Sequence, residues 1–170
     1  MTVKLVGAIL VIAGCGGFGL SLAGSHLREE RALRRLISAL DLMQCDLQYR
    51  LTPLPELCRL AATDVGGEVG KVFKQLSEEL ETQLSPDVHS CMKAVLAKED
   101  NLPKYAAKGL RHLGQSLGRF DLEGQIKGLE TVRQECRREL DSLGKNKDHR
   151  LRSYQTLGLC AGAAIAILFI

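Results

Sequence analysis

Residues 5–24 read LVGAILVIAGCGGFGLSLAG and residues 25–51 read SHLREERALRRLISALDLMQCDLQYRL. The change of texture at Ser25 decides the architecture. The first stretch carries no charge over about the 20 residues that a helix needs to cross a hydrocarbon core. In the second, Leu33, Leu36, Ile37, Leu40, Met43 and Leu47 recur at three- and four-residue steps with Arg, Glu and Asp between them, which is the period of an amphipathic helix. A membrane-spanning helix is therefore expected over 5–24, followed by a helical soluble segment into which it can run directly.

The opposite end mirrors this. Residues 154–170 carry no charge and form a second span, short unless Ser153 and Tyr154 sit at the interface. All acidic residues lie between Glu29 and Asp148, and all basic ones except Lys4 lie between Arg28 and Arg152. Arg28, Arg31, Arg34 and Arg35 follow the first span, and Lys145, Lys147, Arg150 and Arg152 precede the second. Such flanking cations are retained on the cytoplasmic side, so the middle, 25–153, is expected in the cytoplasm with both termini on the outer side.

The amino terminus carries three further patterns. Gly14-Cys15-Gly16-Gly17-Phe18-Gly19 fits the dinucleotide-binding G-x-G-x-x-G pattern, but residues 27–51 show a charged helical period where a second strand and its acidic ribose ligand belong. Ile12-Ala13-Gly14-Cys15 resembles a lipobox, which would make Cys15 a lipidated terminus and export the helical domain as a binding module; the apolar run continues past it through Phe18, Leu20 and Leu22, unlike a cleaved signal. The small residues offer a plainer role. Ala13, Gly17 and Ser21 form one stripe at four-residue spacing and Gly158, Gly162 and Ala166 another, so that the two helices can pack closely on each other or on partner helices, including a second copy in a homo-oligomer.

The middle reads as about six short helices and no strands. Thr52-Pro53-Leu54-Pro55 stops the first and opens the second, with Thr52 able to cap and Leu54, Leu57, Leu60 and Ala61 facing inward. After Gly66-Gly67, a third helix presents Val69, Val72, Phe73, Leu76, Leu80 and Leu84, and Ser85-Pro86-Asp87 ends it. A fourth carries Val88, Cys91, Met92, Val95 and Leu96. Leu102-Pro103 opens a fifth that runs to Leu117, with Gly118 as its C-terminal cap and Asp121 capping the sixth. That last helix, with Leu122, Ile126, Leu129, Val132, Cys136, Leu140 and Leu143 inward, feeds the second span. A leucine and valine core with few aromatics suits an antiparallel bundle.

Catalysis finds no constellation in the sequence. The six cysteines stand singly, without zinc or redox spacing, as small buried hydrophobes do in a reducing compartment. His26 and His149 lie among the interfacial charges, His89 and Cys91 are two apart and do not share a helix face, and His112 is expected to be solvated or capping. No phosphate-binding loop is present and neither span holds an ionisable residue, so nucleotide hydrolysis by that route and transport through the spans are not indicated. Positive charge next to the membrane without aromatic interleaving points to anionic lipid rather than nucleic acid. No cofactor or metal is expected.

The order and spacing of several short motifs go further. The apolar start, Leu51-Thr52-Pro53-Leu54-Pro55, Leu117-Gly118 with Asp121 and Gln125, and Tyr154 with Leu157-Gly158 together resemble the stage III sporulation protein AB family over essentially the whole chain. The family is similar in turn to the six-helix cytoplasmic domain of type II secretion and type IV pilus platform proteins. The resemblance implies a non-enzymatic component of the channel between mother cell and forespore, in the mother-cell membrane, beside a secretion-type ATPase (protein AA) and other membrane proteins of that channel. Leu117, Gly118, Asp121 and Gln125 are then either a partner-binding surface or a structural turn. This sequence departs from the family at Arg119-Phe120, where a small polar residue commonly precedes the aspartate.

Overall fold

The structure, a computed structural model, describes residues 2–82, 87–118 and 121–169, with side chains over 25–82, 87–118 and 121–145. Six helices follow one another: α1 (Thr2–Tyr49), α2 (Leu54–Val65), α3 (Gly67–Thr82), α4 (Val88–Lys98), α5 (Lys104–Ser116) and α6 (Leu122–Phe169). Among the described residues there is no strand, and no helix there is long and apolar enough to cross a membrane. The side chains of the expected spans, 5–24 and 154–170, and with them Cys15, Ala13, Gly17, Ser21, Gly158, Gly162 and Ala166, lie outside the described residues.

The expectation of six short helices needs one correction. α1 and α6 contain 48 residues each, about 72 Å at a rise of 1.5 Å per residue, because no proline or turn signal interrupts either of them between the charged segment and the apolar end. The two pack against each other, and Arg133 of α6 meets Asp41 of α1 at 2.7 Å. That pair sets an antiparallel register in which Glu29 lies level with Lys145 and Tyr49 level with Gln125. The first level is the proximal end of the bundle, towards the helix ends, and the second is the distal end.

Between the long helices the shorter ones fill in. α2 leaves the distal end after Leu51, whose φ of 55° turns the chain, and Gly66 and Gly67, at φ 55° and 60°, reverse it into α3. α3 returns along α2 so closely that a Cβ at Gly70 would lie 2.9 Å from the Ala62 carbonyl oxygen. α5 runs beside α1 in the same direction: Gly109 faces Leu36 and Cys136, and a Cβ there would come within 2.8 Å of Leu36. α4 is antiparallel to α5, with Val88 against Gly118 and Met92 against Gly114.

The interior is the expected leucine and valine core. Leu33, Leu36, Leu40 and Met43 of α1 are fully buried with Leu57, Phe73, Leu76, Leu110, Leu113 and Leu129, each worth about 1.5–3 kcal/mol of burial. Two predicted inward positions face out instead: Leu60 and Leu122 are both 39% exposed, since periodicity gives a helix a face but not the width that its neighbours cover. Leu140 and Leu143 pack only at the margin of the core. Leu84, Ser85 and Pro86 lie outside the described residues.

The caps differ from expectation in an informative way. Pro53, not Thr52, is the residue before α2, and no side chain caps that helix; Thr52 stands one position too early. Asp87 caps α4, accepting from the Ser90 amide at 3.1 Å. α5 is preceded by Pro103, which offers no side-chain acceptor. Its cap comes from α1: the Glu29 carboxylate accepts from the amides of Lys104 at 2.8 Å and Tyr105 at 3.3 Å.

Candidate functional site

The turn between α5 and α6 sits at the distal end. Leu117 closes α5 with its amide donating to the Leu113 carbonyl at 3.0 Å, and its side chain is fully buried. Gly118 follows at φ 74°, in the left-handed region that glycine tolerates, and a Cβ there would lie 2.7 Å from Cγ2 of Val88. Asp121 precedes α6; its Oδ1 accepts from the Gly124 amide at 3.0 Å and its carbonyl from the Gln125 amide at 2.9 Å. Thus Leu117, Gly118 and Asp121 each have a structural task in the turn, Asp121 remains exposed, and Gln125 is half-buried one turn into α6. Arg119 and Phe120 lie outside the described residues.

Around this turn, large apolar side chains reach solvent. Tyr49 is 82% exposed and Leu51 66%, and Leu122 opens α6 at the same level of the bundle. Leu51 adopts a conformation that costs a non-glycine residue about 1–2 kcal/mol. Its amide and that of Arg50 both donate to the Asp46 carbonyl, at 3.1 and 2.8 Å. Sequence reading missed this patch: Tyr49, still in α1, points out because it lies two residues from inward Leu47, and Leu51 is turned outward by its own left-handed conformation.

Two titratable pairs cross the seam between α5 and α6. Lys108 meets Glu139 at 3.2 Å, and the hydrogen bond and charge of that carboxylate hold the lysine above its ordinary value. His112, expected to be solvated or capping, instead places Nδ1 2.8 Å from Glu135. Arg133 bridges Glu130 on its own helix and Asp41 on α1; its hydrogen bond lowers the Glu130 carboxyl below the usual range. Apart from the Arg133–Glu130 pair within α6, these groups pair off across helix interfaces, and none of them lines the groove between α2 and α3.

An open groove of ≈ 580 Å³ between α2 and α3 has a floor of Gly66, Gly67 and Gly70 and walls of mixed sign, Arg59 and Lys74 with Glu78 and Glu81. Among the described residues no cluster of three or more His, Cys, Asp and Glu could hold a metal ion. Cys58 is fully buried and burial pushes its thiol up to about 12; Cys136, also buried, is pushed up to about 11. Both are packing residues, protonated and unreactive at neutral pH. Cys45 is exposed.

Comparison with known proteins agrees with the arrangement of motifs. The family described as stage III sporulation protein AB matches residues 4–170. Stage III sporulation protein AB of Bacillus subtilis (strain 168) is 22% identical over 168 residues, covering 97% of this chain and 98% of its own length. A solved structure of stage III sporulation protein AB superimposes with a TM-score of 0.63 at 21% identity, covering 72% of this chain and 98% of that one, and so shares the fold.

Proposed function

The chain belongs to the stage III sporulation protein AB family, part of the sporulation apparatus, and from that premise we propose that it is a non-enzymatic membrane platform of the mother cell–forespore channel. In this reading residues 5–24 and 154–170 span the mother-cell membrane around the forespore, the bundle faces the cytoplasm and both termini lie outside. The platform couples a secretion-type ATPase to the other membrane components of the channel. One observation carries the proposal: the helices that build the bundle, α1 and α6, are continuous with the two apolar ends. A helix has no joint between its turns, so a tilt of the bundle becomes a tilt of whatever the same helix does in the lipid.

The distal end is the surface proposed for the ATPase, being farthest from the spans. Exposed Tyr49, Leu51 and Leu122 supply apolar anchors there, and the strained conformation of Leu51 is the sort that persists where a contact needs it. Leu117, Gly118 and Asp121 act beneath that surface by fixing the turn. The full chain in lipid nanodiscs, titrated with the secretion-type ATPase of the same apparatus, is expected to bind saturably, and Leu51→Glu with Leu122→Glu to abolish binding without unfolding the helices. Saturable binding unaffected by those changes would move the contact elsewhere on the bundle; no binding at all would leave a scaffold that meets its partners within the membrane.

A further inference from the structure

We propose that the first turn of α5 is a third membrane contact, laid on the headgroups of an anionic bilayer by Tyr105 and Lys104 beside Leu27 and Arg28. The inference rests on the reading that residues 5–24 span the membrane. It comes from Glu29, which holds the amides of Lys104 and Tyr105 at 2.8 and 3.3 Å although they lie 75 and 76 residues away in the chain. Glu29 is five residues past the end of the span, about 7 Å along the helix axis. The headgroup layer on each side of a bilayer is about 5–8 Å thick. The start of α5 is therefore held at the outer edge of that layer.

Direction and chemistry agree with this placement. α5 runs alongside α1 away from the proximal end, and Cα–Cβ bonds in a helix tilt towards its N-terminus. The side chains of Lys104 and Tyr105, like those of Arg28 and Arg31, consequently lean back towards the bilayer. Tyr105 is 38% exposed and Leu27 41%, the exposed large apolar residues at this end. A tyrosine ring with a lysine stem beside it is the pairing favoured at a membrane interface.

The charges at this end select the lipid. Glu29 is committed to the α5 amides, Glu30 to Arg34 at 2.9 Å and Glu139 to Lys108 at 3.2 Å. Glu29 keeps its charge, because amides are neutral, as does Glu99 beside Asp100. Residues 25–35 and 145–153 nevertheless carry together eight Arg and Lys against three acidic residues, and Arg28, Arg31, Lys104 and Lys145 have no carboxylate partner among the described residues. A surface of net positive charge with apolar side chains between the cations fits anionic headgroups. With two helices entering the membrane, a third contact to one side of them fixes the tilt of the bundle, so that a push on the distal end meets a fulcrum.

The chain has no tryptophan, which makes the test direct. Tyr105→Trp and, at the opposite end, Tyr49→Trp are each placed in the full chain and reconstituted in phosphatidylcholine–phosphatidylglycerol vesicles. Lipids brominated high on the acyl chain are expected to remove more than about half of the Trp emission at position 105 and to leave that at 49 unchanged, as an interfacial ring requires. Adding Lys104→Glu should weaken the quenching. If the protein floats with the vesicles but both positions are quenched alike, the third contact is refuted and the span reading stands. Failure to float refutes both. A tryptophan at 105 shielded from aqueous acrylamide yet untouched by the brominated lipid would mean that protein covers the site, which also overturns the proposal.

Discussion

Gly118→Ala tests whether the α5–α6 turn is built for structure. Gly118 sits at φ 74°, where an alanine costs about 1–2 kcal/mol. The reduced freedom of the unfolded chain returns about 0.4–1 kcal/mol. The balance is a loss of about 1 kcal/mol, before counting the Val88 methyl that the new Cβ would meet at 2.7 Å and that has to move aside. Crowding of this kind adds about 1 kcal/mol at its lower end, giving roughly 2 kcal/mol in all. The matched control is Gly144→Ala on α6, where nothing lies within 4 Å and the helical position should gain up to about 1 kcal/mol. Urea denaturation of the full chain in detergent, followed by far-ultraviolet circular dichroism, should show the two midpoints moving in opposite directions. Equal midpoints, or a Gly118→Ala variant more stable than the parent, would refute the assigned role of the turn.

Three further outcomes follow from the buried thiols and the long-range cap. Burial raises the Cys58 thiol above its unfolded value of 9.0 to about 12, so its contribution to stability is complete below pH 9 and is lost as pH rises from there towards 12. The slope is about 1.4 kcal/mol per pH unit, and Cys58→Ala should remove that part of the alkaline loss in a urea titration series. In native protein a thiol reagent should modify exposed Cys45 and spare Cys58, Cys91 and Cys136; in intact cells a membrane-impermeant reagent should miss Cys45 as well if the bundle is cytoplasmic, whereas labelling there would reverse the topology. Glu29→Ala leaves the first α5 amides without their acceptor and should cost about 0.5–2 kcal/mol, with hydrogen exchange accelerated at Lys104 and Tyr105 but not in α4.

How far the fold could be read depended on whether the signal was local. Helix boundaries at Pro53, at Gly66-Gly67 and at Pro103 were legible because proline and glycine restrict the chain on their own account. The inward stripe of α1 was legible for the same reason, since Leu33, Leu36, Leu40 and Met43 share one face whatever covers it. Leu60 and Leu122 were not, because their exposure depends on how widely a neighbouring helix reaches. The least visible feature was the cap of α5. Pro103 announces a helix that lacks a local acceptor, but nothing near it in sequence names Glu29, and a cap supplied from another helix has no spacing to recognise. The apolar tip escaped in part for a similar reason: Tyr49 follows from the helical period, but the outward turn of Leu51 comes from its left-handed conformation, which no turn residue in the sequence announces.

The same distinction bears on where function can reside. Local signals fix elements, and elements alone would let this bundle tilt freely on its two long helices. The buried core that all six helices share resists tilting, and three nonlocal polar contacts add register to it: Asp41 with Arg133 between the long helices, Lys108 with Glu139 along the α5 seam, and Glu29 at the start of α5. They leave the exposed distal tip and the basic proximal end at opposite ends of one packed core, in which Leu36 touches α5 and α6 lies against both. Close-packed interiors deform little, so in the proposed platform a force applied at the tip would be passed on rather than absorbed. On this argument, variants that weaken the nonlocal ties while leaving the tip intact should retain the partner and lose the coupling.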